Sequence, residues 1–577
     1  MLTLTSILSL FLFTSILDPT AAICRCLPGD PCWPAPATWS QFNASISGQL
    51  IATNPLGAPC HDPNYDAARC AQLRDNWTHP RLHYESSSSV MAPYFANNSC
   101  DPFHPPGKPC TLDNYVVYAV NASTPEHVTR ALQFVRDHNI RLVVRNTGHD
   151  YLGKSTGAGA LGLWMHHLKE ITVADYRDAR YTGKAITVGA GVHAIDVYRA
   201  ADAQGLQIVG GECPTVGLAG GYTQGGGHSM LSSKYGLAAD QVLSWQVITG
   251  EGELVTATRE TYPDLYWALS GGGGGTYGVV WSMTVKAYPD TPVSGLNMTF
   301  SREDVEEEEF YRAVSRFHAI LPDIVDAGAM CIWSLTNTSF SISPLTGPNI
   351  PASELVDLLG PFTDHLDEEE ITYTISADDF PDYLSQFQNM MPDVPVSESQ
   401  LGGWLIPRGV VQENNENFTA AARQIVEDGA SLVSVGLNVS KAVAGNVDNA
   451  VLPAWRDTVA HTVISTPWEW NADDKMREWQ RKMTEVYVSL LSRLAPNSGA
   501  YMNEADFRQP NYQRAFYGEN YAKLREIKKK YDPFDVFYAP TAVGSDEWTE
   551  SNRGRLCRVT RVNLGTWLSR QAKAAFT

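Results

Sequence analysis

Glycine is placed in this chain in a way few folds accommodate. Gly210-Gly211, Gly217, Gly220-Gly221 and Gly225-Gly226-Gly227 crowd one stretch, and Gly271 to Gly275 follow. Glycine lets backbone approach a ligand closely and present N–H groups to an anion such as a pyrophosphate. A flexible linker is also glycine-rich, but it does not interleave Val, Leu, Tyr and Trp in this manner. The pattern predicts a ligand cradle within an ordered fold.

Two well-known phosphate-binding motifs do not apply. Gly148-His-Asp-Tyr-Leu-Gly153-Lys154-Ser155 matches G-x-x-x-x-G-K-S letter by letter. That loop works by leading into a helix N-terminus that holds the phosphates. Here Ser155 runs into Thr-Gly-Ala-Gly-Ala-Leu-Gly162, which does not begin a helix. Neither glycine cluster gives G-x-G-x-x-G opening a helix, which disfavours a doubly wound nicotinamide site.

At 577 residues the chain exceeds one simple core, since domains run to roughly 100–200 residues. Its 44% hydrophobic content allows a sizeable interior. A formal charge of −20 works against nucleic-acid or anionic-membrane partners.

Residues 1–22 read as an export signal: Leu2 to Leu17 is almost wholly apolar or hydroxyl, and Thr20-Ala21-Ala22 offers small residues for cleavage. A membrane anchor is the rival, but the run is short for one, and no later stretch spans a bilayer. Sequons stand at Asn43, Asn76, Asn97, Asn121, Asn297, Asn337, Asn417 and Asn438, so N-glycans and an extracellular location are expected. Cysteines concentrate early, at 24, 26, 32, 60, 70, 100 and 110, which in an exported chain points to disulfides. Paired C-x-x-C spacing is absent, so no metal is assigned. The local pairs Cys60–Cys70 and Cys100–Cys110 are favoured, although sequence does not fix connectivity.

The chain divides by composition. Residues 23–113 are rich in Pro, Cys and Asn and read as a loop-heavy, stapled extension. From 114 to 289 order sharpens: Tyr115–Val120 reads as a strand, Pro125 opens a helix with Val128, Leu132 and Val135 on one face, and Arg141–Arg145 is a second strand. From 290 to 495 the glycine clusters vanish and acidic helical stretches appear; Glu306–Glu309 reads as a solvated helix face in preference to a binding patch. Residues 496–548 hold an apolar helical stripe, Tyr521, Leu524, Ile527 and Tyr531, stopped by Asp532-Pro533, and 549–577 form a tail.

Several motifs together resemble the vanillyl-alcohol oxidase flavoprotein superfamily. They are Arg145-Asn-Thr-Gly-His149-Asp150, Gly211-Glu-Cys213-Pro-Thr-Val216-Gly217, Gly225-Gly226-Gly227 and Tyr235-Gly-Leu-Ala-Ala-Asp240. Tyr501-Met-Asn503-Glu-Ala-Asp506, Tyr517-Gly-Glu-Asn520-Tyr521 and Lys530-Tyr-Asp-Pro533 resemble its berberine-bridge-enzyme-like branch, and Trp404–Arg408 and Gly554–Arg558 its fungal secreted members. The similarity runs from about Cys24 to Arg558.

That resemblance implies an α+β protein. An α/β FAD-binding domain of the PCMH type (114–289 with 496–548) would carry an inserted substrate domain (290–495), an antiparallel sheet backed by helices. It also implies FAD held covalently through His149, and through Cys213 as well. Asn146, Thr147, Gly148, Asp150, Gly217, Gly221, Gly226, Gly227, Asp240 and Asn503 would line the cofactor. Tyr501 would be the base that removes a substrate proton, against the alternative that it packs on the ring. Val216 would gate oxygen, against the alternative that it only packs the loop.

The expected reaction is oxidation of an alcohol or sugar-type substrate, small or oligosaccharide, with O₂ reduced to H₂O₂. Oxidative cyclisation of a secondary metabolite by the same flavin is the enzymatic rival. A non-catalytic secreted binding protein is the other, and a colourless pure protein would favour it.

Overall fold

The computed structural model describes residues 24–392, 394–551 and 554–559; the expected export signal at 1–22 and most of the 549–577 tail lie outside them. Helix Pro125–Asp137 forms where the sequence places it. Thr124 caps it by accepting from the His127 N–H, Pro125 occupies the first turn, and Val128, Ala131, Leu132 and Val135 bury one face. The strand before it is Tyr118–Asn121, three residues later than the composition indicates, because Tyr115 N–H closes a turn on Leu112 O. Leu142–Arg145 is the second strand, but the two are not neighbours. Leu161–Trp164 lies between them and pairs with both in parallel.

The extension is less loop-like than its composition implies. It forms helices Pro36–Ser45, Ala67–Asn76 and Pro80–Tyr84. Its strand Leu50–Ala52 adds antiparallel to Tyr118–Asn121 at the edge of the four-stranded sheet. The favoured pairs Cys60–Cys70 and Cys100–Cys110 are present, with Cys26–Cys32 beside them. A fourth disulfide, Cys24–Cys557, joins chain segments 533 residues apart, a pairing no local spacing reveals.

A second, antiparallel sheet is built on the long strand Val279–Pro289, flanked by Thr182–Gly189 and Val242–Ile248. The third sheet has seven strands, all antiparallel, in the order Tyr373–Phe380, Val293–Ser301, Ser339–Pro348, Met330–Leu335, Ser431–Gly436, Thr458–Pro467, Ser399–Pro407. Helices Glu307–Asp326, Ala352–Glu368 and Asn415–Glu427 supply apolar faces to the core that includes this sheet, through Phe317, Phe362 and Phe418. Glu307 to Glu309 begin the first of these helices, where carboxylates complement the N-terminal dipole. Their face is not merely solvated: Arg302 and Arg423 pair with Glu307. Among the described residues, no helix is long and apolar enough to cross a membrane.

Candidate active site

One cavity gathers most of the predicted site residues from three separate chain segments. Asn146, Thr147, Gly148, His149 and Asp150 line it, as do Cys213, Val216, Gly217, Gly221, Tyr501 and Asn503. The first five follow strand Leu142–Arg145 directly. Arg145 anchors the loop to the extension, donating to the carbonyl oxygens of Ser86 at 2.6 Å and His83 at 2.9 Å. Asp150 holds the turn, accepting from the N–H groups of Leu152 and Ser155.

The cavity wall has the character of a cofactor cradle. A side chain on Gly221 would meet nothing within 4 Å and would enter the open space. Asn146 Oδ1 and Gln224 Oε1 are buried acceptors with no protein partner, the state of groups that expect a ligand. Leu142, Val144, Met165, Val280 and Phe537 add apolar surface suited to a flat ring.

His149 and Cys213 meet on this wall, His149 Nε2 lying 4.0 Å from Cys213 Sγ and 2.7 Å from Thr215 Oγ1. Burial, reinforced by His193, His83 and Arg145 nearby, lowers the His149 imidazole to about 3. The ring is therefore neutral, as a nucleophile must be. An outer cleft of about 1110 Å³ reaches the same spot, bounded by Cys213, Pro214 and Thr215 on one side and Leu56, Gln72 and Arg81 of the extension on the other.

Three predicted cofactor residues stand outside the cavity lining. Asp240 is fully buried and engaged elsewhere: Arg456 donates to its two oxygens at 2.9 and 2.7 Å, Asn449 Nδ2 at 2.8 Å and Leu237 N–H at 2.9 Å. It ties the 114–289 segment to the 290–495 segment. Gly226 and Gly227 also lie behind the wall. Gly227 has φ +75°, and a Cβ there would press on Tyr222 and on Ala238, so glycine serves the turn itself.

Tyr501 is buried, and Asn503 Nδ2 donates to its hydroxyl at 2.8 Å. Burial, with the Glu504 charge adding to it, holds the phenol well above its ordinary range. Tyr501 is thus a neutral phenol at working pH, which weakens its expected part as base.

Sequence reading passed over four neighbours. His228 lies between two carboxylates, Nδ1 3.0 Å from Glu212 Oε1 and Nε2 3.2 Å from Glu504 Oε1. His461 Nε2 stands 2.9 Å from Glu504 Oε2. Glu212, His228 and Glu504 line the cavity; His461 lies behind them. The signal was close at hand for three, since Glu212 precedes Cys213, His228 follows the glycine triplet and Glu504 sits inside the Tyr501–Asp506 motif. His461 comes from strand Thr458–Pro467 and carries no such flag.

A glycine-rich cradle beside a buried cluster of carboxylates and histidines is the setting of a cofactor-dependent enzyme. Comparison with known proteins agrees. Residues 117–258 match the FAD binding domain family, and residues 500–544 match the family described as berberine and berberine like. The FAD-linked oxidoreductase patO of Aspergillus clavatus is 50% identical over 543 residues, 93% of this chain and 95% of that protein. The bifunctional decalin synthase calF of Penicillium decumbens is 40% identical, covering 95% of this chain and 99% of its own length. The crystal structure of the VAO-type flavoprotein MtVAO615 from Myceliophthora thermophila C1 superposes with a TM-score of 0.89 at 40% identity, covering 93% of this chain and all of that one. The chain belongs to the VAO-type, berberine-bridge-like family of FAD-linked oxidoreductases.

Proposed function

We propose that this enzyme is an exported oxidase that takes a hydride from an alcohol or sugar-type carbon and passes the electrons to O₂, giving H₂O₂. The observation that carries this reading is that one cavity holds both His149 and Cys213 and the Tyr501–Asn503–Glu504 group. Bound there, FAD supplies the two-electron acceptor for the substrate and the reductant for oxygen. His149 and Cys213 are the residues that would hold it covalently. Asn146, Thr147, Gly217 and Gly221 would cradle it. Asn503 fixes the Tyr501 hydroxyl, and that hydroxyl in turn orients the substrate oxygen.

Export is part of the same proposal. Four disulfides suit an oxidising compartment, and eight sequons suit a glycoprotein. Oxidative cyclisation is the second reading, favoured by the 40% identity to a decalin synthase. Incubating the purified holoenzyme with sugars, oligosaccharides, alcohols and phenolics, and measuring H₂O₂, separates the two. An alcohol that yields one H₂O₂ per carbonyl formed supports oxidation. Turnover that needs an artificial electron acceptor in place of O₂ to reoxidise the flavin would contradict the oxidase reading.

Val216 lines the cavity three residues after Cys213, with its carbonyl accepting from Ala194 N–H at 3.0 Å. Val216→Leu adds one methylene to that wall. Stopped-flow mixing of the reduced variant with oxygenated buffer is expected to show reoxidation slowed about tenfold, a barrier increase of about 1.4 kcal/mol. Anaerobic reduction by substrate should change little. Equal reoxidation rates in both proteins would assign Val216 to packing alone.

A further inference from the structure

The reaction proposed above requires a group that removes the substrate hydroxyl proton, and the cavity offers a better one than the tyrosine. We propose that Glu504 is the proton acceptor, backed by the buried chain Glu212–His228–Glu504–His461, while Tyr501 remains protonated and positions the substrate. This inference rests on the alcohol-oxidation reading.

Hydrogen bonding fixes the charges in the chain. Both ring nitrogens of His228 face carboxylate oxygens, Glu212 at 3.0 Å and Glu504 at 3.2 Å. Both must carry hydrogen to be satisfied, so the ring is an imidazolium. The two carboxylates raise its pKa well above the usual histidine value despite burial. His461 donates from Nε2 to Glu504 at 2.9 Å, and its Nδ1 is buried with no hydrogen-bond partner. Burial lowers its pKa, so it is neutral. Glu504 is ionised, its pKa depressed by the two imidazole donors against its own burial. Two carboxylates, one imidazolium and one neutral imidazole leave a single net negative charge in a low-dielectric pocket. Uptake of one proton during the reaction would cancel that charge, shared over the hydrogen-bonded members.

Exposure decides where the proton enters. The side chain of Glu504 keeps 26% of its surface open, against 13% for Glu212, 8% for His228 and 0% for His461. Glu504 is therefore the most open member of the cluster toward the cavity. Tyr501 is held for a different task. Its ring stands edge-on to His228, His461 and Trp455 at 5.5, 5.4 and 5.4 Å, and Asn503 donates into its oxygen. That arrangement leaves the phenol O–H to point at a substrate oxygen. The titratable groups facing Glu504 are His228, His461, Glu212, Tyr501, Tyr222 and Tyr151. Both neighbouring phenols, Tyr222 and Tyr151, are pushed up by burial and offer no rival base.

In the proposed step the substrate O–H bond breaks and a Glu504 Oε–H bond forms. The electron pair left on oxygen becomes the C=O bond as the carbon loses hydride to the flavin. The substrate is oxidised by two electrons and its proton stays in the cluster.

The test compares anaerobic, substrate-driven flavin reduction in full-length holoenzyme, Glu504→Gln and Tyr501→Phe between about pH 6 and 9. Wild type should be nearly flat, because Glu504 is already ionised. Glu504→Gln should fall by about 10²-fold or more at neutral pH, the scale of a lost general base. Its rate should then rise about tenfold per pH unit as hydroxide takes over. Tyr501→Phe should lose less than about tenfold and keep the flat profile. Unchanged flavin content and melting midpoint in Glu504→Gln would show that the fold is intact. The opposite ranking, with Tyr501→Phe crippled and Glu504→Gln near wild type, would overturn the proposal in favour of the tyrosine.

A readout independent of turnover closes the other escape. His228, His461 and Glu504 present ligand atoms within 4.8 Å of one another. Elemental analysis of the purified protein should find no stoichiometric divalent metal. One equivalent that disappears in Glu504→Gln would overturn the proton-acceptor assignment by making the cluster a metal centre. Failure of every alcohol in the substrate screen would sink the oxidation reading instead, a result separate from either of these.

Discussion

His149→Ala is expected to leave the flavin attached to the protein through Cys213, Cys213→Ala to leave it attached through His149, and only the double variant to release all of it on denaturation. The two side chains lie 4.0 Å apart on one cavity wall, so a single ring system can meet both. His149 is neutral, and Thr215 Oγ1 at 2.7 Å orients its Nε2. Cys213 lies outside the four disulfides and lines both the inner cavity and the outer cleft. Each single variant removes one bond and spares the glycine cradle, so folding and flavin uptake should survive. Gel fluorescence of denatured protein reads the outcome directly. Release of every flavin from His149→Ala alone would show that Cys213 forms no bond.

Asp240→Ala should destabilise the protein by about 3–5 kcal/mol, the cost of removing one partner of a buried ion pair. The carboxylate is wholly buried and Arg456 keeps only 17% of its side-chain surface exposed, so the guanidinium left behind cannot be rescued by water. Asn449 Nδ2 and the Leu237 N–H would lose their acceptor in the same change. Denaturant midpoints at constant slope measure the loss. Asp240→Asn keeps the shape and part of the bonding and should cost less. A variant that melts like wild type but loses its flavin would return Asp240 to the cofactor site.

Asp240 illustrates where sequence reading reaches its limit. Its motif follows the glycine triplet closely, but no residue of 235–240 lines the cavity. The side chain's direction depends on Arg456, 216 residues away, and no local pattern encodes that partner. Gly227 is similar: glycine signals a demanding backbone, but not whether the demand comes from a ligand or from Tyr222 and Ala238 packed against it. Helix Pro125–Asp137 was legible because cap, first-turn proline and apolar spacing all act within a few residues. The strand beside it starts three residues later than its composition indicates because Tyr115 closes a turn on Leu112.

The same contrast governs the site. His149 and Cys213 sit in contiguous motifs and could be named from them. The Glu212–His228–Glu504–His461 chain joins four segments, and its charge state exists only once they meet. The disulfides divide likewise. Cys60–Cys70 and Cys100–Cys110 follow from proximity in sequence, whereas Cys24–Cys557 waits on the fold.

The mass of the intact, denatured protein tests the flavin assignment most directly. After acid precipitation and washing, the polypeptide should stay yellow and weigh more than its deglycosylated sequence by one FAD, with the added mass mapping to the peptides that contain His149 and Cys213. A colourless precipitate at the mass of the bare chain, with all of the FAD in the supernatant, would contradict the account.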